Sequence, residues 1–104
     1  MKHQDITVAL NEGMKLVPAY VSPTFPGIAI HRSMDASHWA VTHILSGYCI
    51  SSSFRMRRIA AEFAKAVSRL VKFSKPLEQI NHHMASRPKL RLKLRDLAAK
   101  FKRQ

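Results

Sequence analysis

Apolar residues in the first half of this chain recur at every second position, and in the second half at every third or fourth. A period of two belongs to half-buried strands and a period of 3.6 to amphipathic helices. The switch occurs once, near Ser51-Ser52-Ser53, so the expected fold is α+β: an antiparallel sheet followed by helices packed against it. With 104 residues, 46% hydrophobic and 23% charged, the chain suits one domain with one modest core. It divides into a β-rich part, residues 1–53, and a helical part, residues 54–104.

The strands can be traced individually. Ile6, Val8 and Leu10 alternate with Thr7 and Ala9, and Asn11-Glu12-Gly13 marks a turn. Met14 to Val21 is a second extended run, which Pro18 confines to an edge or a bulge. The Pro23-Thr24-Phe25-Pro26-Gly27 segment must be a loop. Ile28 to Arg32 alternates again, Met34 to Ser37 is turn-like, and His38 to Leu45 forms a fourth strand. In that strand Trp39, Val41, His43 and Leu45 share one face, with His38, Ala40, Thr42 and Ile44 on the other. Ser46-Gly47 predicts a tight hairpin corner, returning through Tyr48 to Ser51. The count is four to five short strands.

Ser51-Ser52-Ser53 offers N-cap residues for a long amphipathic helix. Ile59, Ala60, Phe63, Val67, Leu70 and Val71 supply its core face. Arg55, Arg58, Glu62, Lys65, Arg69 and Lys72 align on the opposite side over about five turns. Pro76 opens a second, short helix over Leu77 to Ala85, with Leu77, Ile80 and Met84 inward. After Ser86-Arg87-Pro88, the segment Lys89 to Arg103 carries a helical stripe of Leu90, Leu94, Leu97 and Phe101. Its alternating Lys89, Arg91, Lys93 and Arg95 would also suit a strand, but strong helix formers favour a helix. Such a helix could dock on its own domain, pair with a partner protein, or lie on an anionic membrane surface; docking is expected.

Charge separates the two parts further. Residues 1–54 carry three basic and three acidic groups, whereas residues 55–104 carry fifteen basic and three acidic, the whole net charge of +12. A neutral scaffold joined to a basic surface predicts a polyanionic partner, foremost nucleic acid, DNA or RNA. The candidate phosphate contacts are Arg55, Arg58, Lys65, Arg69 and Lys72, then Arg87, Lys89, Arg91, Lys93, Arg95, Lys100, Lys102 and Arg103. Trp39 and Tyr48 are candidates for stacking on bases.

Enzyme chemistry finds little footing. The carboxylates Asp5, Glu12, Asp35, Glu62, Glu78 and Asp96 sit in different elements, so no acid–base pair or Mg²⁺ cluster is expected. The three glycines read as turn residues, not a phosphate loop. Adjacent His82 and His83 lack the i+4 partner of a zinc helix, and His31, His38 and His43 read as half-buried strand residues. The single cysteine, Cys49, can form no internal disulfide. No catalytic residue, metal or cofactor is therefore expected. The absence of a signal-peptide pattern, and of any apolar run near ~18 residues, points to a cytoplasmic protein without a membrane span.

Two other functions fit the composition. One is a small inhibitory protein, of the kind phages and plasmids encode, whose basic face binds an acidic protein surface or fills a nucleic-acid channel. The other is a metal-independent ribonuclease toxin using His and Arg. The stretch Trp39 to Val67, an aromatic-led strand, a glycine turn, a return strand and Ile59-Ala60-Ala61-Glu62-Phe63-Ala64, resembles the three-strand-plus-helix DNA-binding domains of plant transcription factors and integrase arm-binding modules. About thirty residues carry that fold-level likeness, without a diagnostic motif, and the basic helix departs from the usually acidic one there.

Overall fold

A computed structural model describes all residues, 1–104. Five strands, β1 (Lys2–Leu10), β2 (Gly13–Val21), β3 (Ile28–Arg32), β4 (Trp39–His43) and β5 (Cys49–Phe54), precede three helices, α1 (Arg57–Ser68), α2 (Leu77–Ala85) and α3 (Pro88–Lys102). The sheet is an antiparallel meander in the order β1-β2-β3-β4-β5. It is larger than the three-strand unit of the DNA-binding domains that Trp39 to Val67 resembles.

The β1–β2 hairpin is paired along its full length, from Lys2↔Val21 to Leu10↔Gly13, yet shares a single ladder pair with β3, Tyr20↔Ile30. That single link lets the hairpin curl away and cover the second face of the sheet. Ile6, Val8, Val17, Ala19 and Ala29 form a small buried cluster there, joined by Leu10, Val21 and Ile44. The amide of Ala9 closes the curl by donating to the Gly47 carbonyl at 2.8 Å. Gly47 has φ +75°, and a Cβ there would stand 2.7 Å from the Thr7 carbonyl oxygen, so only glycine admits this approach. Covering both faces explains why Ala40, Val41, Thr42 and His43 are all buried, where alternation alone predicts one wet face.

On the other face, Phe25, Ile28, Ile30, Val41 and Phe54 meet Ile59, Ala60, Phe63, Ala64 and Val67 of α1 in the main core. Both halves of the chain contribute to this cluster, which Val71, Phe73 and Ile80 complete.

Three expectations require correction. Ser51-Ser52-Ser53 is not a helix cap: β5 runs through it, and α1 begins at Arg57 without a side-chain cap. Pairing jumps from Val41↔Ser51 to Trp39↔Phe54, leaving an extra residue on β5, and Ser53 sits in that bulge at φ +73°. The bulge re-aims the strand end and delivers Phe54 into the core, 4.8 Å from the Phe63 ring. The first helix is also not long. It has twelve residues, because Val71 and Phe73 must both be buried and Phe73 lies off the helical stripe. Ser68 assists the stop by donating its hydroxyl to the Lys65 carbonyl at 2.8 Å. Finally, the β4–β5 corner is wider than a two-residue turn: His43 and Tyr48 close it, and β4 ends at His43.

The helix alternative for the last segment holds. α3 docks on the domain through half-buried Leu90, Leu94, Leu97, Ala98 and Phe101, with Phe101 edge-on to Phe63 at 6.0 Å. No helix is long and apolar enough to cross a membrane.

Candidate nucleic-acid interface

The sheet fixes the linker between α1 and α2 at two points. Gly27, at φ +82°, lies against the Phe73–Ser74 backbone so closely that a Cβ would fall 2.3 Å from the Phe73 carbonyl carbon. Buried His43 donates from Nε2 to the Lys75 carbonyl at 2.9 Å, while its Nδ1 meets the Ser46 hydroxyl at 2.7 Å. A carbonyl oxygen can only accept, so Nε2 carries the proton. These contacts hold the backbone of residues 73–75 while leaving the Lys75 side chain exposed.

Around that linker runs a groove of about 500 Å³ between the end of α1 and α2. Lys72, Lys75, His82, His83 and Arg87 line it, and no carboxylate does. Three cationic side chains and two imidazoles thus face one concavity, with no anion among them to offset the joint field. Helical periodicity selects Lys72, and the C-terminal basic cluster begins with Arg87, but neither signal reaches the other three. Lys75 sits beside Pro76, where the pattern reads only as a break, and His82-His83 reads only as a failed zinc motif. The signal was the density of cationic residues on both sides of that break, from Lys72 to Arg87.

The remaining candidate cations are divided among other surfaces. Arg58, Lys65 and Arg69 keep their common row, but Arg55 precedes α1 and Lys72 follows it, so the six-residue stripe is shorter than periodicity implies. Within the row, Arg58 Nη1 is 3.5 Å from Glu62 Oε1, both groups being exposed. This is the one ion pair in the molecule, so of eighteen Lys and Arg only Arg58 has a carboxylate partner. An exposed pair of this kind contributes little, about 0–1 kcal/mol.

On α3 the cations form two flanks. Lys89, Lys93 and Lys100 share one side with Asp96. Arg91 and Arg95 lie on the other, and Arg95 and Lys102 turn toward β5. Lys102 Nζ reaches 5.6 Å from the Phe54 ring centroid, and Arg103 ends the helix.

The two aromatic candidates differ in access. Trp39 is half-buried against the core, 6.1 Å from Tyr20, and the Arg32 guanidinium lies over its ring at 5.0 Å. Tyr48 is 58% exposed and leaves its ring free for a planar ligand. Arg57, which periodicity does not single out, stacks on Tyr20 at 4.5 Å.

The histidines of the sheet are committed elsewhere. His31 Nδ1 donates to the Arg32 carbonyl at 2.8 Å, so its Nε2 accepts from the buried Thr42 hydroxyl at 2.7 Å. Burial, outweighing the Arg32 carbonyl bond, pushes the His31 pKa below its ordinary value of 6.5. Near the surface, Asp35 accepts from the Ser33 hydroxyl at 2.6 Å, the Ser37 hydroxyl at 2.7 Å and the Ser37 amide at 3.1 Å. Those donors, Ser33 foremost, hold the carboxyl well below the usual range. No three His, Cys, Asp or Glu side chains converge as a metal site would require.

No family model matches this chain, and no curated relative or solved structure does.

Proposed function

We propose that this is a non-enzymatic nucleic-acid-binding protein whose helical layer lies along a phosphate backbone, with the α1–α2 groove as its central contact. One observation carries the reading: fifteen basic residues in positions 55–104 meet a single exposed ion pair, and the groove they border holds no acid. Like charges held together repel, at a cost of a few tenths of a kcal/mol per helical i,i+4 pair. A polyanion turns that repulsion into attraction, and the release of its condensed counterions drives binding. Lys72, Lys75 and Arg87 supply the groove contacts. Arg58, Lys65 and Arg69, with Arg55 before them, extend them along α1; Lys89, Arg91, Lys93, Lys100 and Arg103 do so along α3, whereas Arg95 and Lys102 turn toward β5. Tyr48 is the aromatic able to stack on an unpaired base.

The test is fluorescence anisotropy with random-sequence duplex DNA, single-stranded DNA and RNA over a salt series. If about five cations engage duplex phosphates, log affinity falls against log salt with a slope near −4.5. Absence of binding to all three at ~50 mM salt would overturn the proposal and favour an acidic protein as the partner.

A further inference from the structure

A second concavity, of about 570 Å³, lies between β5 and the three helices, within the ~300–1,000 Å³ usual for small-molecule sites. Its depth is formed by Phe63, Val67, Phe73 and Ile80, each no more than 6% exposed, with Met84 and Leu94 as partly buried walls. Arg95 and Lys102 are its only charged lining groups, and no carboxylate balances them. The lining is therefore an apolar interior with cations and no anion, which is the complement of an amphiphile with an acidic head.

We propose that this cavity binds a single-chain carboxylate amphiphile, of the fatty-acid class, with its alkyl chain among Phe63, Val67, Ile80 and Met84 and its carboxylate held by Arg95 and Lys102. Arg95 can engage a carboxylate through two parallel N–H donors, and Lys102 adds a point charge. A flexible chain suits the site because its apolar lining comes from β5 and all three helices, and a chain can follow that irregular wall. The roof is also able to yield. α3 contains no fully buried residue and is held by half-buried side chains alone, so it belongs to the less firmly packed part of the molecule. This inference does not rest on the nucleic-acid reading.

Cys49, the only cysteine, lines the same cavity and is accessible, so it reports occupancy directly. Burial of the thiol pushes its pKa up, against smaller downward effects of Ser52 and nearby Lys102, so labelling is best followed above neutral pH. The experiment measures the rate of Cys49 modification by a disulfide reagent at rising laurate concentration, below micelle formation. Laurate is expected to slow labelling saturably, at one equivalent per chain. The Arg95→Ala/Lys102→Ala variant should require at least about tenfold more laurate, as loss of charged hydrogen bonds implies. The Lys89→Ala/Lys93→Ala/Lys100→Ala variant, which removes more charge elsewhere on α3, should behave as wild type. Methyl laurate and dodecylamine, which lack the anionic head, should protect weakly. Full-length protection by the methyl ester, or equal weakening in both variants, would show adsorption to a basic surface and overturn the proposal. No protection by laurate at all would also overturn it, and neither result would alter the nucleic-acid titrations.

Discussion

The groove between α1 and α2 can be separated from the general positive field by removing the same charge from two places. Lys72→Ala/Lys75→Ala/Arg87→Ala takes three cations from the groove; Lys89→Ala/Lys93→Ala/Lys100→Ala takes three from one flank of α3. Each leaves the same net charge, and all six side chains are exposed, so both variants should melt like the parent. The Lys75 contact to His43 survives because it runs through the backbone carbonyl. If three phosphate contacts are lost, the slope of log affinity against log salt flattens by about 2.7 for duplex DNA. At ~0.15 M salt that corresponds to roughly two decades of affinity, or about 3 kcal/mol. The flank variant should lose less than half as much, because Asp96 already offsets part of the field there. Anisotropy titrations between ~50 and ~300 mM salt measure both slopes. Equal slopes for the two variants would refute the groove as the principal contact and leave only diffuse attraction.

Three further outcomes test the scaffold. Phe63→Ala should cost about 3–5 kcal/mol in urea unfolding, since the ring is 1% exposed and sits between Phe54 and Phe101; a loss below ~1 kcal/mol would mean that α1 does not pack as described. Gly27→Ala should destabilise far more than Gly13→Ala. Both have positive φ, but a Cβ at Gly27 collides with the Phe73–Ser74 backbone, whereas one at Gly13 has nothing within 4 Å; similar losses would exclude that close approach. Stability should also depend on pH through His31. Burial lowers its folded pKa, so the folded state binds fewer protons than the unfolded state. Its contribution is complete above the ordinary value of 6.5 and is lost as pH falls from there toward the folded pKa. Thermal midpoints from pH 8 to pH 5 should therefore fall more steeply for the parent than for His31→Gln, and parallel curves would contradict the assignment.

Punctuation decided which elements were legible in the sequence. α2 was readable at both ends because Pro76 starts it and Ser86-Arg87-Pro88 ends it. β3 was readable because Pro26-Gly27 forces a loop before a short alternating run. At Ser51-Ser52-Ser53 local chemistry is ambiguous, since a small hydroxyl residue suits both a cap and a bulge. The choice depends on Phe54 reaching Phe63, a contact nine residues on that no local window weighs. The curl of the β1–β2 hairpin was hidden for the same reason. Alternation assigns faces but not what covers them, although the small Ala29, Ala40 and Thr42 on one face are what a covering layer requires. The cationic residues themselves were legible, but their grouping was not. The early end of α1 takes Lys72 out of its row and turns it toward Lys75, His82, His83 and Arg87.

That turn couples the two halves. The polar groups buried in the sheet are all hydrogen-bonded, and one of the bonds reaches outward to shape another part of the fold: His43 to the Lys75 carbonyl. Through that one bond the neutral half helps to hold the linker between α1 and α2 in place. The helical half does the opposite: its cations are exposed, nearly all without partners, and set on a backbone they do not need to stabilise. Removing a surface lysine should thus change binding without changing the fold, while disturbing Gly27 or His43 should move Lys75 without removing any charge. A scaffold that fixes the position of charge, rather than one that merely carries it, is what distinguishes a binding surface from a solubilising one.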